Sequence, residues 1–235
     1  LDRLAAATVA GHLIECGAQA TGGLWIDADL QTHLADVGYP IVEIAEDGTF
    51  TLPKPPHTGG AVNLETAAEQ LLYEVGDPAR YLTPDVTANF TSVHLEAAGP
   101  DRVAVRGARA NGVTNSYKVS AAYRDGYMAA GTLVITGPRA ADKARKSGAI
   151  LLDRLRQSGL VFEQSRVEAL GAGDVVPGVR PEADPPEVVM RVAVKDPRRA
   201  AVERFTKEFA PLVTSGFAGT TGYTTGRPPV REVFA

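Results

Sequence analysis

From Met128 onward two residue periods alternate along the chain, and their order leaves few folds open. Residues 128–136 read as a strand. Pro138 opens a helical pattern running to about Gln157, and Ser158-Gly159 stops it. Residues 162–170 form a second strand pattern, and a loop rich in Gly, Pro and Asp over 171–186 leads to a third at 187–194. Asp196-Pro197 then starts a second helix expected to reach about Val213, and the tail ends in a last strand. Two successive βαβ patterns are the mark of a ferredoxin-like (βαββαβ) α+β sandwich, with both helices on one face of an antiparallel sheet. The predicted organisation is a mixed α/β segment over 1–127, followed by a ferredoxin-like domain over 128–235.

The front segment is less regular. Residues 2–10 read as a helix with Leu4, Val9 and Leu13 toward a core. Glu46-Asp47-Gly48 and Gly99-Pro100-Asp101 are hairpin signals between alternating stretches. Asn63 is placed to cap a helix over 64–75 whose apolar stripe includes Leu64, Leu71, Leu72 and Val75. Over 117–124, Tyr117, Val119, Ala121 and Tyr123 alternate with Lys118, Ser120, Ala122 and Arg124, the pattern of a strand carrying Lys118 and Arg124 on one face.

The chemistry-bearing residues concentrate in residues 11–23. Helical spacing puts His12, Glu15 and Cys16 on one face, followed by Gln19 and the Gly22-Gly23 turn; Gly17 reads as a left-handed helix end. His12 or Glu15 is suited to general acid–base work. Cys16 sits at a helix C-terminus, where the dipole disfavours a thiolate, and is the weaker nucleophile for it. Gln19 and the Gly22 and Gly23 amides are candidate donors to a substrate oxygen. A second glycine turn, Thr58-Gly59-Gly60, ends the proline-stiffened loop that Lys54 begins, and the two turns are expected to form one ligand rim. Lys54, Lys118 and Arg124 are candidate anchors for an anionic substrate. Equally open from these residues alone is a packed helix end in which His12 and Cys16 are core side chains.

Several function classes are excluded or unsupported. The net charge is −4 with no basic run, which argues against nucleic acid. No apolar run approaches a membrane span. A single cysteine leaves no intrachain disulfide and fits a reducing, cytoplasmic setting. Nucleotide, redox-cofactor and zinc-protease motifs are missing, so no cofactor and no metal are called for; His12, Glu15 and Cys16 would need a fourth ligand to hold zinc.

Residues 12–23 (His-Leu-Ile-Glu-Cys-Gly-Ala-Gln-Ala-Thr-Gly-Gly) closely resemble the acyclic terpene utilisation AtuA family. The likeness continues through Gly38-Tyr39-Pro40, residues 54–60, 69–78 and 81–86, then 99–103, 117–120 and 123–127, and ends at Gly222-Tyr223 with Gly226-Arg227-Pro228. It implies branched acyl-CoA catabolism beside biotin-dependent acyl-CoA carboxylases, and a further N-terminal α/β region in family members. Many members carry Gly-Gly-Asn-Phe where this chain has Leu24-Trp25 after the glycines, so contacts there are expected to differ. The family's chemistry is not settled by the likeness. Two functions follow as expectations. One is an enzyme or enzyme half, lyase or hydratase in type, acting on a branched acyl-CoA or its carboxylic acid. The other is a non-catalytic assembly module bound to acyl-CoA carboxylase subunits. A homo-oligomer is expected in either case.

Overall fold

The computed structural model describes residues 1–25, 33–117, 119–176, 178, 184–223 and 226–235. The chain is mixed α+β with antiparallel sheets and falls into two compact units, Leu1–Ser120 and Ala121–Ala235. No helix among the described residues is long and apolar enough to cross a membrane.

The first unit begins with α1 (Asp2–Glu15). Two short strands, β1 (Glu43–Ile44) and β2 (Phe50–Pro53), follow as a hairpin turning at Gly48. Next come α2 (Leu64–Leu72), β3 (Tyr81–Leu82), β4 (Thr87–Asn89), β5 (His94–Ala97), β6 (Arg102–Arg106) and β7 (Arg109–Ala110). They assemble two small sheets, in the orders β1-β2-β6-β5 and β3-β4-β7. The core between them holds Val9, Leu13, Phe50, Leu52, Ala67, Phe90, Val103 and Val105.

Two helix faces differ from expectation. On α1, Val9 and Leu13 are buried, but Leu4 is exposed and Ala5, Ala6, Ala10 and His12 complete the inner face. On α2, Ala67 is buried and Leu71, with Val75 just beyond the helix end, packs against the core as the stripe predicts, but Leu64 and Leu72 face outward, and Thr66 and Gln70 are buried as well. Polar side chains can occupy that face because each has a partner. Thr66 closes a capping box with Asn63, and Gln70 reaches the backbone of α1. The helix also stops three residues early, with Glu74 in the left-handed region at φ 55°.

The second unit runs β8 (Arg124–Thr136), α3 (Ala140–Gln157), β9 (Gln164–Leu170), β10 (Glu187–Asp196), α4 (Arg199–Phe205), α5 (Phe209–Ser215), β11 (Thr220–Tyr223) and β12 (Arg231–Phe234). Its sheet has the order β11-β8-β10-β9, with β12 also pairing β8, and every pairing is antiparallel. Along β10 every second residue is buried, and Val188, Met190, Val192 and Val194 meet Leu133, Ile135, Leu151, Leu155, Phe205 and Phe209 in one core. The single helix expected over 197–213 is broken between Phe205 and Phe209. Pro211 explains the break: lacking an N–H and clashing with the carbonyl four residues back, it fits only in a first turn, so the helix restarts at Phe209.

Among the described residues of 117–123, the alternation does not yield a strand before Arg124. Tyr123 exchanges backbone hydrogen bonds with Ala235 at 2.9 and 3.0 Å, and upstream of it no described residue offers a pairing edge. Periodicity without a partner strand leaves these described residues irregular.

Candidate functional site

His12 lies on the inner face of α1 and is 5% exposed. Its ring sits edge-on to Tyr81, at 5.6 Å between centroids, and to Phe90, at 5.3 Å; those two rings stack on each other at 4.7 Å. Both imidazole nitrogens are buried, and neither has a hydrogen-bond partner among the described residues. Leaving a buried polar group unpaired costs about 1–3 kcal/mol, so an imidazole held this way demands an explanation beyond packing. Its backbone is fixed from the other side, where the Gln70 amide donates to the His12 carbonyl at 2.7 Å.

The two residues expected to act with it are set differently. Cys16 is half-buried and free of any disulfide, and Glu15 is exposed. They are nevertheless tied to the same corner through two tyrosines. Burial raises the Tyr81 hydroxyl above its usual range, and the charges of Glu15 and Glu74 push it the same way. Tyr73 is raised by its hydrogen bond to Glu74, by the charge of Glu74 and by Cys16 beside it. Both phenols therefore stay protonated as hydrogen-bond donors. Tyr81 thus feels Glu15 and Glu74, Tyr73 feels Glu74 and Cys16, and His12 is buried edge-on to Tyr81. Among the described residues, no group of three or more His, Cys, Asp or Glu side chains is placed to hold a metal ion.

The glycine turns adjoin, because the Ala61 N–H donates to the Thr21 carbonyl at 2.9 Å. Thr21 is buried, and its hydroxyl donates to the Gly38 carbonyl at 2.5 Å. Gly60 has φ 79°, and a Cβ there would stand 2.1 Å from the Thr21 oxygen, so only glycine fits. Gly17 is required for a different reason than expected. It is not left-handed, but a Cβ would lie 2.6 Å from the Pro40 ring and 2.9 Å from the Tyr39 ring.

The amides expected to hold a substrate oxygen are already spent. Gly22 N–H donates to Gln19 O at 2.9 Å, and Gly23 N–H to Ala18 O at 2.7 Å, so the turn consumes them in closing itself. Gln19 contributes its carbonyl to that turn and its side chain is half-buried. Lys54 is likewise committed: its ammonium donates to the Thr58 carbonyl at 2.7 Å and lies 3.5 Å from the Asp101 carboxylate. Asp101 also accepts from the Val62 N–H at 3.0 Å, and the Thr58 hydroxyl donates to Pro55 O at 2.8 Å. Gly59 N–H donates to Asp36 O at 2.9 Å. Lys54, Thr58 and Gly59 thus hold the proline loop in place, and Lys54 acts as a clamp where a substrate anchor was expected. Beside this loop an open cleft of about 600 Å³ is lined by Trp25, Val62, Asn63, Glu65, Pro100 and Arg102, with the indole N–H of Trp25 donating to Glu65 at 3.1 Å.

Of the remaining candidates, Lys118 lies outside the described residues. Arg124 belongs to the second unit, where it is exposed and pairs with Glu232 at 3.3 Å. Tyr73, Glu74, Tyr81, Phe90 and Gln70 were not singled out from sequence. All but Phe90 fall inside stretches that carry the family likeness, and that was the one available signal.

Comparison with curated proteins finds no significant match, and neither does comparison with solved structures. The profile of the acyclic terpene utilisation family protein AtuA matches residues 1–235, and the chain belongs to that family.

Proposed function

We propose that the chain is an enzyme, or the part of one, that moves a proton on a branched acyl-CoA or its carboxylic acid during acyclic terpene breakdown. Membership of the family suggests a role in acyclic terpene utilisation. The observation that carries the enzymatic reading is the buried His12 imidazole with both nitrogens unpaired at the α1 end. The reaction that suits it is hydration of an α,β-unsaturated acyl thioester, or its reverse. A base takes a proton from water as the oxygen adds to the β-carbon, and that proton is returned to the α-carbon. His12 is the residue for that transfer, and the protonated Tyr81 is the neighbouring donor to the thioester oxygen. Glu15 and Cys16 serve as auxiliary groups at the rim. A ferredoxin-like second unit is part of the same reading, supported by the strand order β11-β8-β10-β9 and by α3, α4 and α5 sharing one core with the sheet.

The assembly-module reading is favoured by one observation, the outward-facing Leu64 and Leu72 on α2, which offer an apolar strip to a partner such as a carboxylase subunit. Imidazole resonances recorded by NMR while a branched acyl-CoA is titrated into the full-length protein separate the two. Saturable movement of the His12 signal is expected for the enzyme. A His12 signal that never responds, with acyl-CoA carboxylase copurifying, would establish the module instead.

A further inference from the structure

The Gly226-Arg227-Pro228 motif belongs to the second unit. It borders an open cleft of about 510 Å³ lined by Arg199, Glu203, Thr206, Lys207, Arg227 and the Pro228-Pro229-Val230 wall. Three cations face one carboxylate there, a net positive charge of two in a chain whose net charge is −4. Glu203 is engaged by Arg199 at 2.9 Å. Among the described residues Arg227 is held by neutral groups: its Nε donates to the Thr206 hydroxyl at 2.8 Å and an Nη to the Glu203 backbone carbonyl at 3.3 Å. Thr206 is itself buried, at 1% exposure, in the break that Pro211 forces between α4 and α5.

Elsewhere in this unit guanidinium groups meet buried carboxylates, Arg154 with Glu208, Arg191 with Glu168 and Arg198 with Asp196. Arg227 and Lys207 have no such partner among the described residues. A guanidinium aimed by a buried hydroxyl yet left without a counter-charge is suited to an anion from outside. Pro228 also restricts the backbone of Arg227 to extended conformations, so the group is held without paying its full ordering entropy at binding. A monocarboxylate would balance only half of the excess charge, whereas a diphosphate, at about two negative charges or more, balances it. The volume falls in the range of small-ligand pockets, room for a nucleoside beside the phosphates.

We propose that this cleft binds the diphosphate of a nucleotide-type ligand, either a nucleoside diphosphate or the handle of a coenzyme A thioester. Only the coenzyme A source rests on the enzymatic reading above. The test is calorimetric titration of the full chain at low salt with pyrophosphate, ADP and coenzyme A. Saturable binding of ADP or coenzyme A is expected, weakened about tenfold or more in Arg227→Gln and in Lys207→Gln, and falling as salt is raised. Lys207 is exposed, so its replacement leaves folding intact and keeps the test valid if Arg227→Gln proves unstable. Binding of ADP but not coenzyme A supports the nucleoside diphosphate source. Failure of both nucleotides to bind, binding of pyrophosphate alone, or binding unchanged in the two variants would overturn the proposal. ADP binding that Arg227→Gln abolishes, with no response of His12 to acyl-CoA, would keep this site and remove the enzymatic reading.

Discussion

The buried side-chain amide of Gln70 donates to the backbone carbonyl of His12 at 2.7 Å across 58 residues of sequence. It ties α2 to the last turn of α1, where the helix's own amides run out, and it sets the position of the imidazole. Gln70→Glu keeps the shape and replaces the donor with an acceptor. The new carboxyl, buried against a carbonyl, has its folded-state pKa raised above the unfolded value, so its contribution is retained at low pH and lost as pH rises through the folded value. Urea unfolding should show the variant close to wild type near pH 4 and destabilised by about 2–5 kcal/mol at pH 7. A penalty that does not change with pH would mean the hydrogen bond does not hold the two helices.

Contact between the two glycine turns rests on Gly60. Gly60→Ala places a methyl group against the Thr21 carbonyl and demands φ 79° of an alanine, so a loss above about 2 kcal/mol is expected. Gly76→Ala is the control, since nothing lies within 4 Å of a Cβ there, and it should be neutral or stabilising by up to about 1 kcal/mol. Thermal melts of both variants decide the matter: equal effects would refute the close approach.

In the second unit Asp196 closes β10 onto the start of α4. The guanidinium of Arg198 lowers its carboxyl to about 2, with further help from the backbone N–H groups of Arg198 and Glu163. A depressed carboxylate contributes stability that is present above the unfolded-state value of about 3.9 and lost as pH falls through about 2. Melting temperatures of wild type and Asp196→Asn should therefore differ most above pH 4 and converge toward pH 2. A constant gap over that range would assign the effect of the substitution to packing.

Much of the element order was legible because its signals are local. The hairpin turn at Gly48, the Asn63 cap, and the succession of strands and helices after Arg124 all follow from short-range periods and turn residues. What escaped depends on partners remote in sequence. Leu64 and Leu72 looked like part of the core face of α2, but the place went to Gln70, whose amide reaches the His12 carbonyl 58 residues away. Lys54 reads as a free cation on paper and is a clamp in the fold, because Asp101 lies 47 positions away. Pro211 was visible, but a helix pattern spanning it hid the break. In the candidate site, the residues at 12–23 stood out by type, whereas Tyr81 and Phe90 became relevant only once β3 and β4 set them against His12.

The most direct measurement is turnover of a branched α,β-unsaturated acyl-CoA by the full-length protein carrying His12→Leu, read beside its melting temperature. An apolar side chain of similar size removes two unpaired buried nitrogens and packs against the stacked Tyr81 and Phe90 rings, so stability should be unchanged or higher. Loss of the proton-transfer group should lower kcat by about 100-fold or more. Turnover within a few-fold of wild type, in a variant that melts at or above the wild-type temperature, would contradict the assignment of His12 and make it a core residue.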